Sequence, residues 1–347
     1  MIPFSEVRLL SLPVSEHLGA AHGATAGPAR ELVVVALDDG DAVGWGECSA
    51  LTTPGYSHEH ARAGYELLTA GVPIDRESYP MAAAAVEMAE LDLLLRRADQ
   101  SLAEHFGVEV ESVPAGATLG IGPESTTVER ARAMAGAGYR RVKLKIDPAH
   151  ASSIVAAVRA AVPDVEIHVD ANGSFAPTEV SELYTLDKLG VTVIEQPFPA
   201  DDTIATATLV SSVEATVVAD EAVGSVADAE RLLAEGALGG VSIKPARVGG
   251  LAAALQLLDW CVEHGVDALA GGMLESGLGR HALAAFAGLP GFTIAGDISP
   301  SSRWFAADPW PDITMIDGRV LVPRAAGVAP APDPEMLDRL TIAVTTR

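Results

Sequence analysis

From about residue 115 onward the chain repeats one pattern: a short apolar segment, a loop, a helical segment and a return to the next apolar segment. The apolar segments lie at 116–121, 141–146, 166–171, 192–195, 216–220, 240–244, 269–274 and 292–298. Their spacing of about 25 residues is the length of one short strand–helix unit. Strands separated by helices run parallel, because a parallel connection needs a crossover long enough to hold a helix. Eight such strands close into a barrel, so the pattern predicts an α/β barrel over 115–313, a modified (β/α)8 of the (β/α)7β type.

The first 114 residues read differently. Residues 31–37 (ELVVVAL) form a β-branched run, Asp39-Gly40-Asp41 signals a turn, and residues 43–48 (VGWGEC) resume extended structure, which together predict a hairpin. Residues 58–70 and 81–97 carry Ala, Leu and Glu at helical spacing. With 347 residues the chain exceeds what one core comfortably holds. A second unit is therefore expected: an α+β capping domain at 1–114, completed by about 314–347. There TMIDGRVLV reads as strand, turn and strand returning to the first unit, followed by a Pro-rich loop at 327–334.

Alternate residues of a barrel strand point inward, and barrel active sites sit where the strands end. In RVKLKI, Val142, Leu144 and Ile146 suit the helix-facing side, which leaves Lys143 and Lys145 inward. In EIHVDAN, Ile167 and Val169 face the helices and Asp170 ends the inward row. Glu195 closes VTVIEQP, Asp220 closes TVVADE and Lys244 closes GVSIKP. From Lys145 through Asp170, Glu195 and Asp220 to Lys244 the intervals are 25, 25, 25 and 24 residues. A single strand-end carboxylate ordinarily caps the loop that follows it. Five consecutive strand ends carrying ionisable groups do not arise from capping. Three carboxylates buried together repel unless a cation joins them, and an all-oxygen set favours Mg2+ or Mn2+ over zinc. Asp170, Glu195 and Asp220 are thus the expected metal ligands. Asn172 and Glu221, their neighbours in sequence, either orient the ligands or belong to loops.

Composition sharpens the reading. The formal net charge of −24 repels phosphate backbones and anionic lipid, so neither nucleic acid nor a membrane surface is an expected partner. A small carboxylate substrate would be repelled too, unless the few lysines capture it locally. No apolar run reaches bilayer length, and the start MIPFSEVRLL lacks a basic region followed by an apolar stretch. A cytoplasmic homo-oligomer is expected, with its two cysteines, Cys48 and Cys261, reduced.

The same residues carry a family resemblance. Lys143-Leu-Lys145, Asp170-Ala-Asn-Gly, Glu195-Gln-Pro, Asp220-Glu221 and Lys244-Pro-Ala-Arg247-Val-Gly-Gly resemble the signature of the muconate-lactonizing branch of the enolase superfamily. The stretch GECSALTTPGY ending at Tyr56 and GGMLESGLGR ending at Arg280 are similar to o-succinylbenzoate synthases and the related N-acylamino acid racemases. The resemblance covers nearly the whole chain. It implies an enzyme that moves a proton next to a carboxylate: Lys145 as the base, Lys143 holding a carboxylate oxygen, and Lys244 on the opposite face as a cation or second acid/base. A synthase would dehydrate a cyclohexadiene carboxylate in menaquinone synthesis, whereas a racemase would trade protons between the two lysines, and both stay open. Arg247 either lowers the pKa of Lys244, favouring the two-base reading, or is a plain surface arginine. Thr118, Gly272 and Met273 match family positions lining the substrate pocket, with Met273 equally suited to fill a core. Residues 19–27 are by resemblance a mobile lid, or else a hairpin connection. His22 and His168 carry no assignment. A barrel hydrolase would place several histidines at strand ends, and a non-catalytic metal-binding barrel would not need lysines on both sides of a metal.

Overall fold

The computed structural model of the protein describes 4–15, 19–20, 23–24 and 27–346. His22 and much of the 19–27 stretch lie outside the described residues. What is described there is β2 (Gly19–Ala20) paired antiparallel with β3 (Gly23–Ala24), and the carbonyl of Gly19 accepts the N–H of Ile121 at 2.9 Å.

The four-stranded antiparallel sheet takes β1 (Glu6–Pro13), β4 (Ala29–Asp38) and β5 (Val43–Cys48) from one end of the chain and β16 (Thr341–Thr346) from the other, in the order β16-β1-β4-β5. In β4 every residue from Leu32 to Leu37 is buried, so the run is apolar without alternation because both faces are covered. Leu32 and Val34 face the barrel core, while Val33, Val35 and Leu37 face α1 (Ala61–Ala70) and α2 (Pro80–Arg97). The alanine run of α2 lets that helix lie directly on the sheet. A Cβ at Gly46 would stand 1.9 Å from the carbonyl oxygen of Ala85, and one at Gly44 would stand 2.3 Å from that of Ala89.

After α3 (Leu102–His105) and β6 (Ser112–Pro114) the chain enters the barrel. Its strands are β7 (Gly116–Leu119), β8 (Arg141–Lys145), β9 (Glu166–Asp170), β10 (Val193–Glu195), β11 (Thr216–Ala219), β12 (Gly240–Ile243) and β13 (Asp267–Ala270). They form one parallel sheet in unbroken sequence order. Between and after them run α4 (Glu124–Gly136), α5 (Ala151–Ala161), α6 (Val180–Lys188), α7 (Thr203–Val210), α8 (Val226–Ala234), α9 (Leu251–His264) and α10 (Gly277–Phe286). Register does the positioning: Lys145 pairs with Asp170, and Asp170 pairs with Glu195, so these side chains share one layer at the strand ends.

The eighth apolar segment, 292–298, is not a ladder strand. It closes the gap between β13 and β7 by isolated bonds: Thr293 and Ile294 N–H to the Ala268 carbonyl, Asp297 N–H to that of Ala270, and Gly116 N–H to that of Ile298. Gly116 and Gly296 permit the close approach, since a Cβ on Gly116 would meet the Gly296 carbonyl oxygen at 2.3 Å. In the tail, β14 (Met315–Ile316) and β15 (Arg319–Leu321) form the expected hairpin, with Asp317 and Gly318 at φ 50° and 73° in the tight turn. This hairpin pairs with β6, however, and the return to the first sheet is made after α11 (Pro334–Leu340) by β16, which pairs with β1. Among the described residues no helix is long and apolar enough to cross a membrane. Both cysteines are buried and free.

Candidate active site

At the strand ends the structure gathers every ionisable residue named from the barrel pattern. Asp170, Glu195 and Asp220 are completely buried, with one carboxylate oxygen of each within 4.8 Å of the others. Three of the chain's four lysines surround them, which concentrates positive charge here in an otherwise acidic chain. Lys143 Nζ lies 2.8 Å from Glu195 Oε1, 2.9 Å from Asp170 Oδ2 and 2.9 Å from Asp297 Oδ2. Lys145 Nζ donates to Asp170 Oδ2 and Asn172 Oδ1, each at 2.7 Å. Lys244 Nζ donates to Asp220 Oδ2 at 2.6 Å and to the Tyr56 hydroxyl at 3.2 Å, and stands 4.9 Å from the centre of the Tyr56 ring.

The electrostatics of this cluster are uneven. Burial would raise the carboxyl of Asp170 and lower the ammonium of Lys143, but each neutralises the other. Asp170 is held well below the usual carboxylate range and Lys143 well above the usual lysine range. Lys244 is likewise held up by Asp220 against its burial. Glu195 is the exception. Burial, with Asp170 and Asp220 close by, pushes it up to about 8 although Lys143 is beside it. Its Oε2 lies 2.7 Å from Lys143 Nζ yet accepts no well-directed hydrogen bond. Of the three carboxylates, Glu195 is the one whose charge its neighbours leave incompletely compensated. An all-oxygen donor set with an orphaned, buried carboxylate oxygen fits a divalent cation.

The neighbouring residues support this layer. Asn172, at φ 45°, accepts from Lys145 and donates its amide N–H to Glu221 Oε1 at 2.9 Å, so both residues lie in the turns after their strands and are linked to a lysine of the mouth. Arg247 is not a surface group. Its side chain is 10% exposed and donates to the main-chain carbonyls of Asp220 and Val223, with Asp220 Oδ1 at 3.4 Å. It braces the loop that follows Asp220, while Lys244 itself is held up mainly by Asp220. His168 is pushed down to about 4 by burial and by Arg141, whose Nε donates to His168 Nδ1 at 2.8 Å. It belongs to the barrel interior.

A cavity of about 630 Å³, open to solvent, lies over the cluster, lined by Thr118, Lys143, Lys145, Lys244, Gly272 and Met273. Met273 both lines this cavity and packs into the core beneath the first sheet. The lining further includes Tyr56, Arg280, Asp297 and Trp304, none assigned a role from sequence. Tyr56 and Arg280 end the two stretches that carry the family resemblance. Asp297 sits at an inward position of the eighth segment, one residue before its end, where no ladder fixes which side chains point inward. Gln196 was also missed. At φ 38° its side-chain oxygen accepts the N–H groups of Asp220 and Ala222, and its amide donates to the Phe198 carbonyl, stitching together the loops that follow Glu195 and Asp220.

Known proteins share this arrangement of sequence. The model of the enolase C-terminal domain-like family matches residues 126–336. An o-succinylbenzoate synthase of Bacillus subtilis is 35% identical, over 86% of this chain and 85% of that protein. An N-succinylamino acid racemase of an Amycolatopsis species is 34% identical over 97% of each. Among solved structures, an enolase-superfamily member from Listeria innocua superposes with a TM-score of 0.89 at 28% identity, over 99% of this chain and 98% of that one.

Proposed function

The chain belongs to the enolase C-terminal domain-like family of the enolase superfamily, and from that premise we propose that it is an o-succinylbenzoate synthase. Its reaction would be dehydration of 2-succinyl-6-hydroxy-2,4-cyclohexadiene-1-carboxylate to o-succinylbenzoate. The observation that carries the reading is the placing of three buried carboxylates between lysines that line one cavity. A proton next to a carboxylate is very weakly acidic. Its removal needs a nearby base and positive charge where the anion forms.

Asp170, Glu195 and Asp220 would hold the metal, Mg2+ or Mn2+, which when bound supplies positive charge against the developing enediolate. Lys143 holds a substrate carboxylate oxygen. Lys145, oriented by Asn172, takes the α-proton onto Nζ and then delivers it to the departing hydroxyl as the C–O bond breaks, so that water leaves. Lys244, steadied by Tyr56, faces the other side of the substrate as a cation. Residues 1–114 with 314–347 cap the barrel of 115–313 and supply Tyr56 to its mouth. A second reading, N-succinylamino acid racemization, rests on Lys145 and Lys244 both reaching the same cavity, since two bases can exchange protons on two faces.

An assay of the purified protein with Mg2+ and both substrates tests the order. Dehydration is expected at kcat/KM of about 10⁴ M⁻¹s⁻¹ or more. Racemization faster than dehydration would put the second reading first, and inactivity toward both would overturn the proposal.

A further inference from the structure

Each lysine at the mouth has one kind of partner that is a proposed metal ligand and one that is not. Lys145 shares itself between Asp170 and Asn172, and Lys244 between Asp220 and the Tyr56 hydroxyl. Lys143, the most deeply buried of the three, divides its ammonium among Asp170, Glu195 and Asp297. A cation held by Asp170 and Glu195 repels an ammonium group lying against the same oxygens, and low dielectric strengthens the repulsion. The ammonium groups must therefore withdraw onto their other partners. For Lys145 and Lys244 those partners are neutral. For Lys143 the partner is a carboxylate.

Asp297 is itself held from several directions. Its Oδ1 accepts from Arg141 Nη2 at 2.7 Å, and the Arg141 side chain is 1% exposed. Arg141 also donates to the Gly296 carbonyl at 2.9 Å, and Arg280 Nη1 donates to the Asp297 carbonyl at 2.9 Å. The main-chain N–H of Asp297 is bonded to Ala270. Burial alone would raise this carboxyl, yet Lys143 and Arg141 hold it well below the usual carboxylate range. The segment that bears it has no ladder to define its position, so the two arginines and a strand-end carbonyl set it.

We propose that Asp297 is a positioning residue that holds Lys143 away from the metal carboxylates, so that the metal and the lysine occupy the mouth together. Asp297 is not a metal ligand in this account. Its effect on the metal runs through Lys143, and the inference rests on reading Asp170, Glu195 and Asp220 as the metal site.

Calorimetric titration of the metal-free protein with Mg2+ tests this without any assay of activity. Asp297→Asn should weaken Mg2+ binding roughly 10- to 100-fold, the range for groups that orient a metal site from behind. In a Lys143→Met background, where no ammonium competes, the same substitution should change affinity by less than about threefold. Asp297→Glu keeps a counter-charge for Arg141 if the Asn variant does not fold. Displaced by one methylene, it should weaken binding in the Lys143 protein and leave the Lys143→Met protein unchanged. Wild-type affinity in the Asp297 variants would overturn the proposal, as would equal weakening in both backgrounds, which would mark Asp297 as a distant charge only. Failure of the unsubstituted protein to bind Mg2+ would instead overturn the metal-site reading.

Discussion

Two buried acidic sites in this protein look alike by burial and differ in everything else. At the barrel mouth, Asp170, Glu195 and Asp220 crowd together with ammonium groups from flexible side chains as their main counter-charges. Between the first sheet and the barrel, Glu47 of β5 is also completely buried, but it meets the N-terminal end of α10. Its carboxylate accepts the N–H groups of Ser276 and Gly279, the Ser276 hydroxyl, and the Ser49 hydroxyl at 2.8 Å. A helix N-terminus offers unsatisfied N–H groups fixed by the backbone, and these suit one anion. Burial alone therefore does not mark a cation site. The mouth is marked by three crowded carboxylates, one with an unpartnered oxygen, and by counter-ions that can move aside.

The largest effect expected from this difference is at Glu195. Glu195→Gln should weaken metal binding beyond use and bring turnover toward the uncatalysed rate, a loss on the order of 10⁶-fold. The same change should leave the metal-free protein at least as stable as the parent near pH 7, because it removes a carboxylate that burial, with Asp170 and Asp220 close by, pushes up to about 8. Activity measurements and chemical denaturation without metal test the pair of outcomes. Marked destabilisation would mean that the mouth, like the Glu47 site, is built for structure.

The lysines come next. If they were only counter-ions, Lys145→Ala and Lys244→Ala would lose the same activities to the same degree. As acid/base groups on two faces, each variant should instead retain deuterium exchange only for the N-succinylamino acid enantiomer whose proton faces the surviving lysine, losing the other by roughly 10²- to 10⁴-fold. Proton NMR of each enantiomer in deuterated buffer reads this directly. Equal exchange of both enantiomers by either variant would remove the two-faced arrangement.

The same contrast governs what could be read from sequence. Lys143, Lys145, Asp170 and Glu195 were legible because ladder pairing forces alternate residues inward, and Asp220 and Lys244 because each directly follows such a strand, a property carried by each short segment alone. Asp297 was not, since its segment has no ladder and its aim is set by Arg141, far away in sequence. Tyr56 reaches Lys244 and Asp220 from a loop after β5, a meeting with no local pattern behind it. Glu47 was invisible for the same reason: its partners Ser276 and Gly279 lie on the far side of the barrel sequence. The strand β16 was not legible in TIAVTT, because its apolar Ile342 and Val344 are half exposed and nothing local told that it would pair with β1.

The smallest effect concerns Glu47 and separates burial from crowding. Burial pushes its carboxyl up to about 7, aided by Glu275, against the Ser276 and Ser49 hydroxyls that favour the ionised form. In the unfolded chain the group titrates near 4.5. A folded-state pKa above the unfolded one means that the folded protein binds more protons between these values. The contribution to stability is then complete below about 4.5 and is lost as the pH rises through about 7. The loss is on the order of 3 kcal/mol. Glu47→Gln has no such titration. Urea denaturation of both proteins at pH 5 and pH 8, in saturating Mg2+ so that the mouth carboxylates stay ionised, should show the parent losing stability relative to the variant across that interval. A constant difference between the two proteins would mean that the fixed N–H and O–H donors offset burial completely. Burial would then not raise a carboxyl in this fold where fixed donors face it, and Glu195, whose Oε2 lacks such a donor, would owe its rise to burial left uncompensated.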